Sequence, residues 1–331
     1  RGITFIDVKD GKKTLDEFVA QLNIGELEAI TRGDYEMNSP LCAVGNAGAY
    51  GGVLGSLRDK GVDAICTTDG PSGIRLRASA SLLPIGTLLA STFDTELVEK
   101  LYSVLATEMK DRGSDVLLAP GMNIHRNMLC GRNFEYYSED PLLAGKMAAG
   151  MVRGIQFQHI GASVKHFAAN NKETNRKHSD SRISERALRE IYLKGFEIAA
   201  KDAQPMSIMT SYNLINGVHA ANCYDTCTKA ASDEWGFAGA IMTDWTTTNV
   251  QIQGECTAAG CMRAGNDMVM PGMEEDHENI RKELKEGTLD IRELKRCIYN
   301  TVNIILQSNQ YEEAVSYENQ FDGLGEWLTV K

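Results

Sequence analysis

The chain has 331 residues, 43% of them hydrophobic and 24% charged, with a formal net charge of −11. That is enough for one large domain or two small ones, at an ordinary globular composition. The acid excess argues against a nucleic-acid surface, and no apolar run approaches the ~20 residues a membrane-spanning helix needs. The start at Arg1 rather than Met reads as a fragment or a processed chain, and Arg1-Gly2-Ile3-Thr4 opens no signal-peptide core. Residues 13–32 carry helical apolar spacing at Leu15, Phe18, Val19 and Leu22. Residues 33–60 are rich in Gly and Asn, and Gly45, Gly48, Gly51, Gly52 and Gly55 predict a mobile surface loop. Val62 to Cys66 reads as a short strand that runs out at Asp69 and a Gly/Pro turn to Arg75. Pro84 to Ala90 is a second apolar run, and Asp94 is placed to cap a helix to about Arg112.

Val116 to Ile124 is again strand-like and leads into a polar segment through Arg132 and Glu135. Asp140-Pro141 opens the next helix, with Asp at the cap and Pro at the first helical position. Gly161 to Phe167 ends in Lys165-His166, and the loop Asn170 to Arg176 follows. Ser184 starts a helix to about Asp202. Pro205 to Asn213 and Gly239 to Trp245 repeat the apolar-then-polar pattern, with a helix near 225–235 between them. A helix near 250–264 precedes the last such run, Asn266 to Gly272. Asp290 with Glu293 resembles a capping box for a final helix from Ile291 to about Gln307. Phe321, Leu324 and Trp327 are isolated anchors in a polar tail, expected to lie on a surface or a partner. The division expected is an N-terminal helix and Gly-rich loop over 1–60, a barrel over 61–310 and a tail over 311–331.

Seven or eight alternations of strand and helix argue for a parallel sheet, because parallel strands need helical crossovers. The short, doubly covered strands and the chain length fit a single α/β domain of the (β/α)8 barrel type. No G-x-G-x-x-G follows any strand, which disfavours a doubly wound nucleotide-binding sheet. In a barrel the C-terminal strand ends converge on one face. Asp69, Lys165-His166, Tyr212-Asn213 and Asp244-Trp245 would then meet there. The alternative is that strand ends are polar simply because they meet solvent. Acids beside Arg and Lys satisfy both sides of a hydroxyl, and an indole offers a platform for a sugar's C–H face. One acid would be a nucleophile kept ionised by the cations around it. The eight cysteines are scattered; Cys223/Cys227 and Cys256/Cys261 lack metal-knuckle spacing, and His219 completes no ligand set. Free thiols in a reducing compartment, hence a cytoplasmic location, and no metal or cofactor are expected.

Six stretches together resemble glycoside hydrolase family 3, over roughly residues 14–308. They are Thr68 to Arg75, Cys130 to Pro141, Lys165 to Arg176, Ser184 to Tyr192, Met209 to Asn213 and Met242 to Trp245. The likeness is to the β-glucosidase branch. It implies that Asp244 forms the glycosyl-enzyme of a retaining hydrolase. It implies that Asp69, Arg132, Lys165 and His166 grip a terminal β-glucosyl residue, with Tyr212 close to the nucleophile. Arg75, Met209 and Trp245 are lesser members of the wall, with core packing the alternative for the last two. In that branch the acid/base Glu sits on an α/β sandwich domain. It is expected here on a separate chain or removed segment, with the inverted domain order of some members one account; Glu173 as a substitute is another. The Pro-Gly-His-Gly-Asp signature of the N-acetylglucosaminidase and phosphorylase branch is replaced by Ala168-Ala169-Asn170-Asn171. A β-xylosidase and a non-catalytic carbohydrate-binding barrel remain the other readings.

Overall fold

In the computed structural model, which describes residues 2–249 and 255–312, the recurring apolar runs become one curled sheet. Its strands are β1 (Gly48–Gly51), β2 (Ala64–Thr68), β3 (Val116–Leu117), β4 (Gly161–Phe167), β5 (Ser207–Thr210) and β6 (Ala240–Thr243), in that order. From β2 onward neighbours are parallel. Two single-bridge segments close the ring. Met268 pairs in parallel with Met242, Val269 with Arg32, and Gly33 pairs antiparallel with Tyr50. The result is an eight-membered TIM-type barrel in which one member, β1, runs against both neighbours.

The reversed strand lies where an irregular mobile loop was expected. The glycines serve close approach instead: a Cβ on Gly52 would stand 2.0 Å from the Val62 carbonyl oxygen. The preceding loop is ordered by Asn46, which is 2% exposed. Its Oδ1 accepts from the N–H groups of Ser39 (3.0 Å) and Gly48 (2.9 Å), and its Nδ2 donates to the carbonyls of Ser39 (2.9 Å) and Ala43 (2.8 Å). A disulfide joins Cys42 in this loop to Cys66 in β2. The expectation of free thiols therefore fails for this pair. Twenty-four residues separate them in sequence, and only the return of the chain alongside β2 brings their Cα atoms to 5.6 Å. The other six cysteines are free thiols.

Helices cover the barrel where their caps predict. The helix α1 (Thr95–Asp111) is capped by Asp94, whose carboxylate accepts from Leu97 N–H. Asp140 caps α2 (Pro141–Gln156) with Pro at the first turn. Ser184 opens a short helix that widens through Leu188–Tyr192 before α3 (Lys194–Ala203). The capping box of Asp290 and Glu293 starts α4 (Ile291–Leu306). Of the helix expected near 250–264, Ala258–Ala264 is described. Residues 250–254 and the tail from 313, with Phe321, Leu324 and Trp327, lie outside the described residues. Among the described residues no helix is long and apolar enough to cross a membrane.

Two buried acids fasten the N-terminal ends of the strands. Asp115, just before β3, accepts from Cys66 N–H of β2 at 2.7 Å. Asp267, just before the closing segment, accepts from Ile241 N–H of β6 at 2.8 Å and from Asn300 of α4 at 3.1 Å. Strands of two to seven residues make few ladder hydrogen bonds, and these carboxylates satisfy further backbone N–H groups.

Candidate active site

The parallel strands all point their C-terminal ends the same way, and the ionisable residues gather there. Asp69 follows β2 directly, Lys165 and His166 are among the last three residues of β4, Tyr212 follows β5, and Asp244-Trp245 follow β6. The register of β5 against β6, Thr210 beside Thr243, brings Tyr212 level with the end of β6. Its hydroxyl donates to the Trp245 carbonyl at 2.7 Å.

Asp69 is gripped from two sides. Lys165 Nζ lies 3.1 Å from Oδ1 and Arg75 Nη1 2.9 Å from Oδ2. Burial pushes this carboxyl up, but Lys165, with Arg75 and Arg132 behind it, outweighs burial and holds it below the usual aspartate range. Lys165 is 4% exposed, while 35% of the Asp69 side chain remains open. The pair therefore presents a fixed acceptor toward solvent-accessible space. Arg132 holds Glu135 at 2.5 Å. Asp69, Arg75, Arg132, Glu135 and Lys165 line a groove of about 430 Å³ with Ile74 and Phe134.

Asp244 is the deeper acid, with 13% of its side chain exposed. Its Oδ1 accepts from Trp245 N–H at 2.7 Å, and its Oδ2 faces His166 Nε2 at 3.9 Å. The cations expected around it are present, but they do not win. Burial raises the Asp244 carboxyl, and Lys165, the Trp245 N–H, Arg132 and Arg176 offset only part of that. The desolvation of a carboxylate at the floor of a barrel outweighs charges that do not touch it.

His166 is 2% exposed. Burial, reinforced by Arg132, Lys165 and Arg176, lowers its pKa well below the ordinary histidine value, so the ring is neutral. Its Nδ1 lies 3.1 Å from the Tyr136 hydroxyl and 3.3 Å from Asn123 Oδ1. These contacts at Nδ1 fix the ring, and Nε2 is the nitrogen that faces Asp244 Oδ2. The backbone of His166 also exchanges two 2.8 Å hydrogen bonds with the Asn123 amide, which locks the ring's approach.

Trp245 is half-buried, and its indole N–H donates to the Ala47 carbonyl at 2.6 Å. Met209 is 1% exposed and belongs to the buried apolar cluster of Met242 and Met268, against which Trp245 packs. Tyr136, Asn123 and Arg176 are the partners that sequence reasoning missed. Arg176 stands 4.7 Å over the Tyr212 ring and pairs with Glu173 at 2.9 Å. The other oxygen of Glu173 accepts from Asn170 at 3.0 Å. Tyr136 lies four residues after Arg132, but only the fold puts its hydroxyl on His166. A larger cavity, about 690 Å³, lies between the loops 126–131 and 169–183 and touches neither Asp69 nor Asp244. Convergent ionisable groups, not cavity size, mark the site.

The arrangement is a nearly buried carboxylate, Asp244, faced by neutral His166 and within electrostatic reach of Lys165 and Arg132, which with Asp69 line the neighbouring groove. That suits a neutral polyhydroxylated ligand held against an attacking oxygen. The family model described as the glycosyl hydrolase family 3 N-terminal domain matches residues 5–302. Over 317 residues the chain is 44% identical to a β-glucosidase of Ruminococcus albus, an alignment covering 93% of this chain and 33% of that protein. It is similar to the solved structure of a β-glucosidase from Paenibacillus barengoltzii, at 45% identity and TM-score 0.89, over 95% of this chain and 35% of that one. It is also similar to β-glucosidase 3B from Thermotoga neapolitana in complex with α-D-glucose, at 38% identity and TM-score 0.84, over 90% of this chain and 43% of that one. The chain thus spans between a third and less than half of these relatives.

Proposed function

The chain belongs to glycoside hydrolase family 3, and from that premise we propose that it is the catalytic barrel of a retaining, exo-acting β-glucosidase. The observation that carries this reading is Asp244. A nearly buried carboxylate is oriented by the Trp245 N–H and faced by His166 at the end of β6, beside a groove that grips hydroxyls through Asp69 and Lys165. A binding module has no use for a desolvated acid there.

In the proposed reaction Asp69, Arg132, Lys165 and His166 hold the terminal glucosyl ring. Asp244 attacks its anomeric carbon, the glycosidic bond breaks, and a covalent glycosyl-enzyme forms. The leaving oxygen takes a proton from a second carboxyl, and water later releases the sugar with that carboxyl acting as base. Retaining glycosidases place the second carboxyl ~5–5.5 Å from the first. Glu173 is poorly free for the task, since Asn170 and Arg176 occupy both of its oxygens. We assign the acid/base Glu to a sandwich domain on another chain or segment that packs on the C-terminal face.

An activated 2-fluoro glucoside with a dinitrophenolate leaving group tests this directly, because that group departs without a proton. Mass spectrometry of the digested chain is expected to place one fluoroglucosyl adduct on Asp244, and Asp244→Asn to abolish it. A trapped adduct elsewhere, or none in the protein joined to its sandwich domain, overturns the assignment. Comparison with the matching 2-fluoro xyloside separates glucose from xylose. Turnover of an ordinary β-glucoside is expected to be nearly absent in the isolated chain and restored by the sandwich domain. Full turnover by the barrel alone would contradict the division of labour.

A further inference from the structure

A neutral imidazole has one hydrogen and two nitrogens, and what His166 offers a sugar depends on which nitrogen carries it. Its Nε2 faces Asp244 Oδ2. Its Nδ1 faces inward, where the Tyr136 hydroxyl stands at 3.1 Å and Asn123 Oδ1 at 3.3 Å. The orientation of the Asn123 amide is fixed by the His166 backbone. Its Nδ2 donates to the His166 carbonyl and its Oδ1 accepts from the His166 N–H, so toward Nδ1 it can only accept. The Tyr136 hydroxyl can donate or accept. Burial holds it well above the ordinary tyrosine range, so it keeps its hydrogen. Tyr136 is also placed independently of His166. Its N–H donates to the Asn133 carbonyl at 3.2 Å, its carbonyl accepts from Thr87 Oγ1 at 3.0 Å, and its ring packs on Gly121, where a Cβ would stand 3.0 Å from Cε1.

Two arrangements compete. With the hydrogen on Nδ1, the ring donates to Asn123 or to the Tyr136 oxygen, and the Tyr136 hydrogen needs an acceptor of its own. Among the described residues the hydroxyl has one other hydrogen-bond neighbour, Asn170 Nδ2 at 3.5 Å. That nitrogen donates to Glu173 Oε1 as well, so it offers no lone pair. The hydrogen of a fully buried tyrosine would be stranded, and the Nε2 lone pair would face the Asp244 carboxylate. With the hydrogen on Nε2, both conflicts vanish: Tyr136 donates to Nδ1, and an N–H dipole faces Asp244. Asn123 Oδ1 keeps the His166 backbone N–H as its donor in either case. We propose that Tyr136 is a positioning residue of this site, whose hydroxyl donates to Nδ1 and so holds His166 as the Nε2–H tautomer, a donor aimed at Asp244 and at a bound sugar. The effect on catalysis rests on the glycosidase reading; the tautomer does not.

Nitrogen NMR of the chain carrying isotope-labelled histidine reads the tautomer directly, since protonated and unprotonated ring nitrogens resonate apart. The chain has six histidines, and His166 is identified by the signals that vanish in His166→Gln. Near neutral pH the native ring is expected to show a protonated Nε2 and an unprotonated Nδ1. A protonated Nδ1 in the native chain overturns the proposal before any tyrosine variant is made. Tyr136→Phe keeps the ring that packs on Gly121 and removes only the hydroxyl. In this variant the hydrogen is expected to move, wholly or in exchange, to Nδ1, where Asn123 Oδ1 accepts it. A ring that stays entirely in the Nε2–H form shows that the tyrosine only fills space, and overturns the proposal. The rate of fluoroglucoside trapping on Asp244 is expected to fall about tenfold in Tyr136→Phe, the scale of one oriented hydrogen bond. An unchanged rate overturns the positioning role. Absence of the adduct in native protein joined to its sandwich domain strikes the glycosidase reading instead, and the nitrogen signals still decide the tautomer.

Discussion

At the scale of single residues, the two site acids are shifted in opposite directions although the same cation pulls both down. Lys165 touches Asp69 and wins against burial; it acts on Asp244 without touching it and loses. Asp69 is therefore charged whenever the protein is folded near neutrality, while Asp244 takes up its proton at a higher pH than a free aspartate. The rate of fluoroglucoside trapping should fall on the acid side with a midpoint above the ordinary aspartate value of about 3.9. Arg176 is one of the groups that pull the Asp244 carboxyl down. Arg176→Gln is accordingly expected to move that midpoint to higher pH, and a midpoint that stays or drops would remove Arg176 from the groups that pull the Asp244 carboxyl down. The acids, Lys165 and His166 were legible because each stands where an apolar run ends. The direction of the Asp244 shift was not, because spacing shows which charges are near and not which of them touch.

At the scale of elements, caps and close approaches decide which helices pack where. Asp94, Asp140, Ser184 and Asp290 were readable because a cap is a local event. The contact between α1 and α2 was not, since it depends on what a glycine meets across space. A Cβ on Gly154 of α2 would lie 2.3 Å from the Glu99 carbonyl of α1. Gly154→Ala is expected to cost about 1–3 kcal/mol, as overpacking does, seen as a lower urea midpoint with unchanged slope. An unchanged midpoint would mean that the helices part freely. Asp267 acts between elements as well, joining β6 to α4. Burial raises its carboxyl to about 7 against the hydrogen bonds it accepts. The stability it contributes is thus complete below the unfolded value near 4 and is lost as pH rises toward 7, on the order of a few kcal/mol. Asp267→Asn should flatten the fall in unfolding free energy between pH 4 and 7. A variant with the native slope would remove Asp267 from the account.

At the scale of the whole molecule, the barrel pattern was visible because six of its eight members share one grammar, an apolar run that ends in polar residues. Two broke it: the Arg32–Gly33 segment, which closes a stretch of helical spacing, and β1. Gly48-Ala49-Tyr50-Gly51 has neither the apolar run nor a polar end, and its place in the sheet depends on pairing with Cys66 and Gly33 rather than on its own composition. The loop that delivers it ties distant parts together. Ala47 takes the indole N–H of Trp245 from the end of β6, Ala47 N–H donates to Thr67 of β2 at 2.8 Å, and Cys42 is bonded to Cys66 three residues before Asp69. Closing a loop of this length is worth about 3 kcal/mol in the chain-entropy account. Cys42→Ser is therefore expected to lower the urea midpoint by a corresponding amount and, by loosening the Ala47 contact, to alter the fluorescence of Trp245. The same bond bears on the cell compartment, because a cytosolic thiol pool keeps such pairs reduced. Counting thiols in protein isolated under alkylating conditions should give six if the bond is present in the cell and eight if the cytoplasmic expectation holds. An eight-thiol chain as stable as the oxidised one would show that the hydrogen bonds of Asn46, and not the disulfide, hold the reversed strand in the barrel.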